Sequence, residues 1–373
     1  MLTPVGRTVA RTSAVPVARP HVNATHTDVR PLGISRAAAT NWTPQSLASA
    51  YGIVWSPALG AGKTIAIIDA YDAPAVEADL ATFSRAFGLP ACTTANGCFK
   101  RVNQVGASAP RPSFDADWAL EIDLDVQWAH AMAPGAKILL VEARTASFND
   151  LDAAEQYANN TSSATFLSNS WGASEFFGEG AFNAIYTPKP GKSMLFASGD
   201  SGLPASYPSA APGVVSVGGT TMSKNGSTIT ETVWSGGGGG CSNSLAAAPQ
   251  QKAFKEYPQA GCRNGMRATP DVAAVADPAT GVLVYMSSAW QGARGWFKVG
   301  GTSLATPVVA AIAAGAGVTL NAETIYGTTF RFRDANASTA SPTNGATCKT
   351  GYDMCTGRGS LIGLTAFGAR VRP

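Results

Sequence analysis

The stretch Gly-Gly-Thr-Ser-Leu-Ala-Thr-Pro-Val-Val-Ala-Ala-Ile-Ala-Ala-Gly, residues 300–315, constrains this chain more than any other. Two glycines let the backbone turn tightly before Thr302 and Ser303, and the small and apolar run that follows predicts a buried helix. Pro307 is expected in its first turn, where a missing N–H is tolerated. Ser303 then falls at a helix N-terminus, among backbone N–H groups that lack partners within the helix. A hydrolase exposes a nucleophilic serine beside oxyanion donors in this way. The same text also describes a Gly-Thr-Ser turn that merely caps a core helix. The choice depends on whether the chain supplies a base.

Three histidines are available, His21, His26 and His130. The first two lie in a leader rich in Pro, Arg and Thr, and His130 sits among apolar and small residues as a core histidine would. Carboxylates are better placed. Within residues 115–135, Trp118, Ile122, Val126 and Ala129 recur at helical spacing, and Pro134-Gly135 ends the helix. Glu121 and Asp125 stack on one face, a turn apart. Like charges so close repel unless they share a proton, one raising the pKa of the other. The alternative is a solvated acidic face, to which Asp115, Asp117 and Asp123 would also belong.

Short apolar runs at 64–69, 137–143, 165–172 and 192–197 alternate with helical patterns at 74–87, 115–132 and 149–159. This predicts an α/β fold, a parallel central sheet with helices on both faces. Asp69 closes the first run, where it serves a site or caps the next helix. Ser170, Trp171 and Gly172 close the third. The fourth ends in Gly-Asp-Ser-Gly, which puts Asp200 at the carboxyl end of a strand, where open α/β sheets gather active-site groups. The five glycines at 236–240 are expected to form a flexible loop without contacts, with a border of the cleft as the alternative.

In this order and spacing the motifs resemble the sedolisins, serine-carboxyl peptidases that share the subtilisin fold but use Ser-Glu-Asp instead of Ser-His-Asp. The family's Glu-x-x-x-Asp helix is matched by Glu121 and Asp125, followed by Ala-Pro-Gly-Ala-Lys at 133–137. Its Ser-Trp-Gly strand is matched at 170–172, its Gly-Asp-Ser-Gly loop at 199–202 and its Gly-Thr-Ser-x-x-x-Pro motif at 301–307. Family-like text also appears at 42–53 and 267–281, so the resemblance covers roughly residues 42–365. It implies a single subtilisin-like catalytic domain in which Ser303 attacks the scissile carbonyl, Glu121 is the base and Asp125 orients it. Asp200 would hold the oxyanion as a protonated acid, Asp69 would support the carboxylates from behind, and Ser170, Trp171 and Gly172 would bind substrate. Activity is then expected in a narrow acidic window, on the order of pH 3–5. The rivals are a subtilisin-like triad of Asp69, His130 and Ser303, and an inactive homologue that binds peptides or calcium.

The resemblance also implies calcium, held by carboxylates of Asp334 and Asp353 and by carbonyls of Ala335, Lys349 and Gly351. Calcium takes six to eight oxygens, which suits this mixture. Lys349 stands where the family usually has glycine. Composition is compatible with a peptidase acting outside the cell. Charged residues are 14 % and glycines 40 of 373, as in a loop-rich enzyme. A net charge of +3 without a basic aromatic cluster argues against nucleic acid, and no apolar run of about 18 residues argues for a membrane span. Protein or peptide substrates and a monomeric state are expected. Six cysteines at short spacings suggest disulfides, and of 15 connectivities proximity favours Cys92–Cys98, Cys241–Cys262 and Cys348–Cys355. Residues 41–373 would form the peptidase domain. Residues 1–40 lack both periodicity and a secretory signal, and about 40 residues are too few for the family's prodomain. They are expected to be a disordered leader or prodomain remnant, so that an extracellular location rests on the cysteines and the resemblance.

Overall fold

A computed structural model describes residues 16–27, 42–226, 228–327, 331–335 and 343–362, and in it the apolar runs lie side by side. Eight strands run parallel in the order Phe99–Asn103, Lys137–Ala143, Thr64–Ala70, Phe166–Asn169, Ser193–Ala197, Val215–Asn225, Val272–Val275 and Ser360–Leu361. Phe332–Arg333 and Thr228–Val233 add antiparallel edges, completing a ten-stranded sheet. Side chains of Thr64–Ala70 alternate between two cores: Ile65 and Ile67 face one, Ala66, Ile68 and Ala70 the other. The first core takes the helices Val76–Phe87, Ala116–Met132 and Thr302–Ala316, and the second takes Phe148–Asn160. The α/β class and its two covered faces are as expected. Strand order reverses across Thr64–Ala70, so the carboxyl end of that strand, where Asp69 sits, is the switch point of the sheet.

The Glu121 helix is more central than its pattern suggests. Asp115 caps it by accepting from the N–H groups of Asp117 and Trp118, and from 118 to 132 every residue is buried. A solvated acidic face is therefore excluded. The Ser303 helix starts after Gly301, at φ 115°, and ends at Gly317, at φ 68°. Since Thr302 is its first residue, Pro307 lies in the second turn rather than the first. Its missing N–H leaves the Ser303 carbonyl without a helical donor, and the Ser170 hydroxyl donates there instead at 3.3 Å. The proline thus ties the serine helix to the neighbouring strand end.

All six cysteines pair as proximity suggested, 92 with 98, 241 with 262 and 348 with 355. Among the described residues no helix is long and apolar enough to cross a membrane. The N-terminal region departs from expectation. Residues 16–27 contain two strands, Arg19–Pro20 antiparallel to Trp171–Ser174 and Asn23–His26 antiparallel to Ala293–Gly300. Their order comes from hydrogen bonding to two existing strand edges, which leaves no periodic apolar trace in the sequence. The rest of the expected leader, 1–15 and 28–40, lies outside the described residues.

Candidate active site

Ser303 is fully buried in the second position of its helix. Its Oγ donates to the Ser170 carbonyl at 3.2 Å, and its N–H donates to the His21 carbonyl at 3.3 Å. Gly301 makes this approach possible: a Cβ there would lie 2.0 Å from the His21 oxygen and 2.7 Å from Oδ2 of Asp200. No larger residue fits between them.

Behind Ser303 stand Glu121, Asp125 and Asp69, each with no exposed surface, and none of their six carboxyl oxygens has a partner in good hydrogen-bond geometry. Burial raises the Glu121 pKa well above the usual carboxylate value, and the charges of Asp125 and Asp69 add to it. The adjacent Ser303 hydroxyl works the other way, as a dipole that favours the carboxylate. Asp125 is raised by burial and by Asp69, with Ser170 and Glu121 opposing. Burial pushes Asp69 up to about 8. Three acids without a cation cannot all ionise, so the cluster retains protons and can take up another. The helix-cap alternative for Asp69 fails, since its oxygens accept nothing and the following helix is capped by Ala75 without a side-chain bond. Asp123 belongs elsewhere, beside Gln127 and Asp79.

Asp200 closes the site from the other side. Its Oδ1 accepts from the N–H and the hydroxyl of Thr302, both at 2.8 Å, and its Oδ2 accepts from Asn23 Nδ2 at 2.7 Å. Burial pushes its pKa up to about 7 against these bonds. The turn is backed by the glycine run, contrary to the expectation of a loop without contacts. The Gly238 N–H donates to Gly199 O at 2.7 Å, and a Cβ at 238 would lie 2.1 Å from Ser198 O. A cleft of about 680 Å³ opens alongside, bounded by residues 19–23, 172–174 and 198–206.

Of Ser170-Trp171-Gly172, Gly172 lines this cleft, and all three present backbone to residues 19–21. Gly172 pairs with Arg19, Trp171 with Pro20, and Ser170 O accepts from His21 N at 3.1 Å. The indole of Trp171 points away, fully buried, and donates to Ile68 O at 2.9 Å. Trp171 therefore meets a cleft occupant through its main chain while its side chain anchors the strand. His130 is not brought to Ser303. It lies nine residues beyond Glu121, about 13 Å along the helix, with Nε2 on Pro90 O at 2.9 Å. The triad of Asp69, His130 and Ser303 is not assembled. The residues missed by sequence reasoning are His21 and Asn23, which no local pattern marks.

At the C-terminal loops Gly351 N donates to Asp334 at 2.6 Å, and Asp353 accepts from Lys349, Cys355 and Thr356 at 2.8 to 2.9 Å. Ala335 is buried beside them. Glu256, not foreseen, joins by accepting from Tyr352 N at 3.2 Å. Burial raises Asp353, those backbone donors oppose it, and Asp334 raises it further. The Lys349 ammonium turns away to Gln259 O at 3.0 Å, so this lysine places no cation in the loop. Asp334, Asp353 and Glu256 are hard oxygen donors of the kind calcium takes, and here their oxygens accept backbone N–H groups. Part of the expected 332–339 loop, 336–339, lies outside the described residues.

The model of the subtilase family matches residues 117–346. Kumamolisin of Bacillus sp. (strain MN-32) is 30% identical over 88% of this chain and 63% of that protein. Sedolisin of Pseudomonas sp. (strain 101) is 26% identical over 66% of this chain and 46% of that protein. The chain thus spans less than two thirds of the length of these curated relatives. A solved Pseudomonas sedolisin, a serine-carboxyl proteinase complexed with two molecules of pseudo-iodotyrostatin, superposes with a TM-score of 0.69 at 25% identity, covering 88% of this chain and 96% of that one. Matched by the subtilase model over more than half of its length, the chain belongs to the subtilase family.

Proposed function

We propose that the chain is a serine-carboxyl peptidase that hydrolyses peptide bonds in protein or peptide substrates under acidic conditions. The observation that carries this reading is a buried serine backed by three partnerless carboxyl groups, with His130 held elsewhere. Ser303 Oγ attacks the carbonyl carbon, its proton passing to Glu121, which Asp125 orients and Asp69 supports. The Ser303 N–H and a protonated Asp200 hold the oxyanion. Glu121 returns the proton to the leaving amine, and water then releases the acyl group by the reverse sequence. The main chain of 170–172 aligns the substrate. Three disulfides favour an oxidising compartment, consistent with an extracellular enzyme. A monomer is sufficient for this chemistry.

The test is a pH–rate profile on an unfolded protein from pH 2 to 9. A carboxylate base and an acidic oxyanion donor give activity on the acid side only, whereas a histidine base would give an optimum near neutrality. Stability changes in the same direction. Carboxyl groups whose folded pKa is raised favour the fold fully below their unfolded value of about 4, and that contribution is lost as pH climbs through the folded value, about 8 for Asp69. Melting temperature is therefore expected to fall between about pH 4 and 8, and rates should be taken where circular dichroism reports folded protein.

Calcium fits the C-terminal loops, where Asp334, Asp353 and Glu256 with carbonyls of Ala335, Lys349 and Gly351 would hold it. Bound there, it supplies positive charge that neutralises these acids and ties 331–335 to 349–353. Excess EDTA is expected to lower the melting temperature and added calcium to restore it, a stabilisation of about 3 kcal/mol at a concentration 100 times Kd. Asp353→Ala should reproduce the loss. An unchanged melting temperature in calcium-stripped protein counts against the site.

A further inference from the structure

We infer that Ser170 is a positioning residue for the reaction, its hydroxyl holding the carbonyl of Ser303 with a proton on which Asp125 also draws. The seat of the nucleophile is thereby tied to the charge of the carboxyl cluster. This rests on the peptidase reading above and gives the Ser170 side chain a part separate from its main-chain contact with substrate.

The need arises from Pro307. In an α-helix the carbonyl of residue 303 accepts from the N–H of residue 307, and here that residue is proline. The neighbouring hydroxyls of the helix are committed elsewhere. Thr306 donates to Thr302 O at 2.8 Å, and Thr302 donates to Asp200 at 2.8 Å. Ser170, fully buried, supplies the donor at 3.3 Å from 133 residues away. The Ser303 hydroxyl returns a bond to the Ser170 carbonyl at 3.2 Å, so each serine donates to the main chain of the other. A buried carbonyl without a donor costs free energy, and the bond that relieves it fixes the first turn of the helix that carries the attacking atom.

The same hydroxyl lies beside Asp125, whose two oxygens have no partner in good geometry. A hydroxyl has one proton to give and lone pairs with which to accept. When Asp125 is protonated it can donate to Ser170 Oγ, and the Ser170 proton stays on Ser303 O. When Asp125 carries charge it draws that proton to itself, since a bond to an ionised acceptor is the stronger one. The Ser303 carbonyl then loses its donor and the helix start loosens. The titratable groups that bear on Asp125 are Glu121 on its own helix and Asp69 at the end of Thr64–Ala70, and Asp200 bears on Glu121 in turn. Neither the helix Thr302–Ala316 nor residues 166–174 contain an ionisable side chain. Ser170 is thus the neutral group through which the cluster reaches the Ser303 main chain.

The experiment measures kcat, KM and the pH–rate profile of casein hydrolysis for the full chain, Ser170→Ala, Pro307→Ala and the double variant, with circular dichroism to establish folding. Ser170→Ala is expected to lose about 10- to 100-fold in kcat, the cost of a misplaced nucleophile, with KM within a few-fold because the main chain that binds substrate is kept. Its acid limb should rise by about half to one pH unit, since a donor that favours the carboxylate is gone and the cluster keeps its proton to higher pH. Pro307→Ala restores a helical N–H to Ser303 O and frees the Ser170 proton for Asp125, so its acid limb should move down. The double variant should regain the lost kcat, to within a few-fold of Pro307→Ala, while its acid limb stays up.

A Ser170→Ala enzyme with wild-type kcat, a loss of kcat that the double variant does not recover, or acid limbs unmoved in both single variants overturns the inference. Each of these leaves the peptidase reading standing, because the wild type still cuts casein. Where Ser170→Ala does not fold, Pro307→Ala decides: a downward limb supports the shared proton, and an unmoved one overturns it. Absence of casein hydrolysis by the wild type at every pH from 2 to 9 removes the peptidase reading itself, and this inference with it.

Discussion

Ser303→Ala is expected to lower kcat for peptide hydrolysis by about 10⁴–10⁶ while leaving the fold and peptide binding in place. The reason is local. Removing Oγ takes one donor from the Ser170 carbonyl, which keeps its bond from His21 N, and the serine carbonyl still accepts from the Ser170 hydroxyl. The backbone that positions the helix start is thus untouched while the attacking atom is gone. Glu121→Gln should fall nearly as far, because the amide fills the same space between Ser303 and Asp125 but cannot take a proton. The double variant should be hardly worse than either single one, since members of one catalytic unit are not additive. His130→Ala provides the contrast. It loses packing and the bond to Pro90 O, so its melting temperature should drop, yet its kcat measured below melting should stay within a few-fold of wild type. A folded His130→Ala protein as inactive as Ser303→Ala would overturn the carboxylate assignment.

What was legible in the sequence was whatever depends on neighbours along the chain. The strands Thr64–Ala70 and Lys137–Ala143 are apolar because both their faces are buried, so each announces itself in isolation. Glu121 and Asp125 announce a shared face through spacing alone. The Ser303 helix was legible too, but the use of Pro307 was not, because the hydroxyl that replaces its lost bond comes from Ser170, 133 residues earlier. The same holds for the glycines at 236–240, of which Gly238 meets residues 198 and 199 and Gly239 meets Met354 and Thr269, and for the inward turn of the Trp171 indole onto Ile68. The segment 16–27 is the strongest case. A peptide held in a cleft is ordered by main-chain bonds to a site made from other parts of the chain, so its own sequence carries no periodicity to read. Glu256 escaped notice for a similar reason, since it reaches the C-terminal loop from almost a hundred residues away.

Asp200→Asn should move the alkaline limb of activity upward, and the argument is one of charge. A carboxylate anion cannot stabilise an oxyanion, so Asp200 works only while protonated. Its Oδ1 is committed to Thr302, accepting from both the N–H and the hydroxyl, which leaves Oδ2, the oxygen that also accepts from Asn23, to carry the proton toward the cleft. With residues 16–27 in place, burial holds the Asp200 pKa at about 7. Water admitted to an open cleft favours the anion, so the limb should lie between about 4, the ordinary value for Asp, and 7. Asparagine keeps Oδ1 for Thr302 and offers an N–H donor at every pH. The absolute rate can drop by as much as about 10²–10³, the worth of one oxyanion donor, if the amide sits less well than the acid. The acid limb belongs to Glu121, Asp125 and Asp69 as a coupled set and should stay near its wild-type position. If Asp200→Asn retains measurable activity and its alkaline limb does not move, the protonated acid that closes the window lies elsewhere. The Glu121 cluster, with its own raised pKa values, is then the group to test.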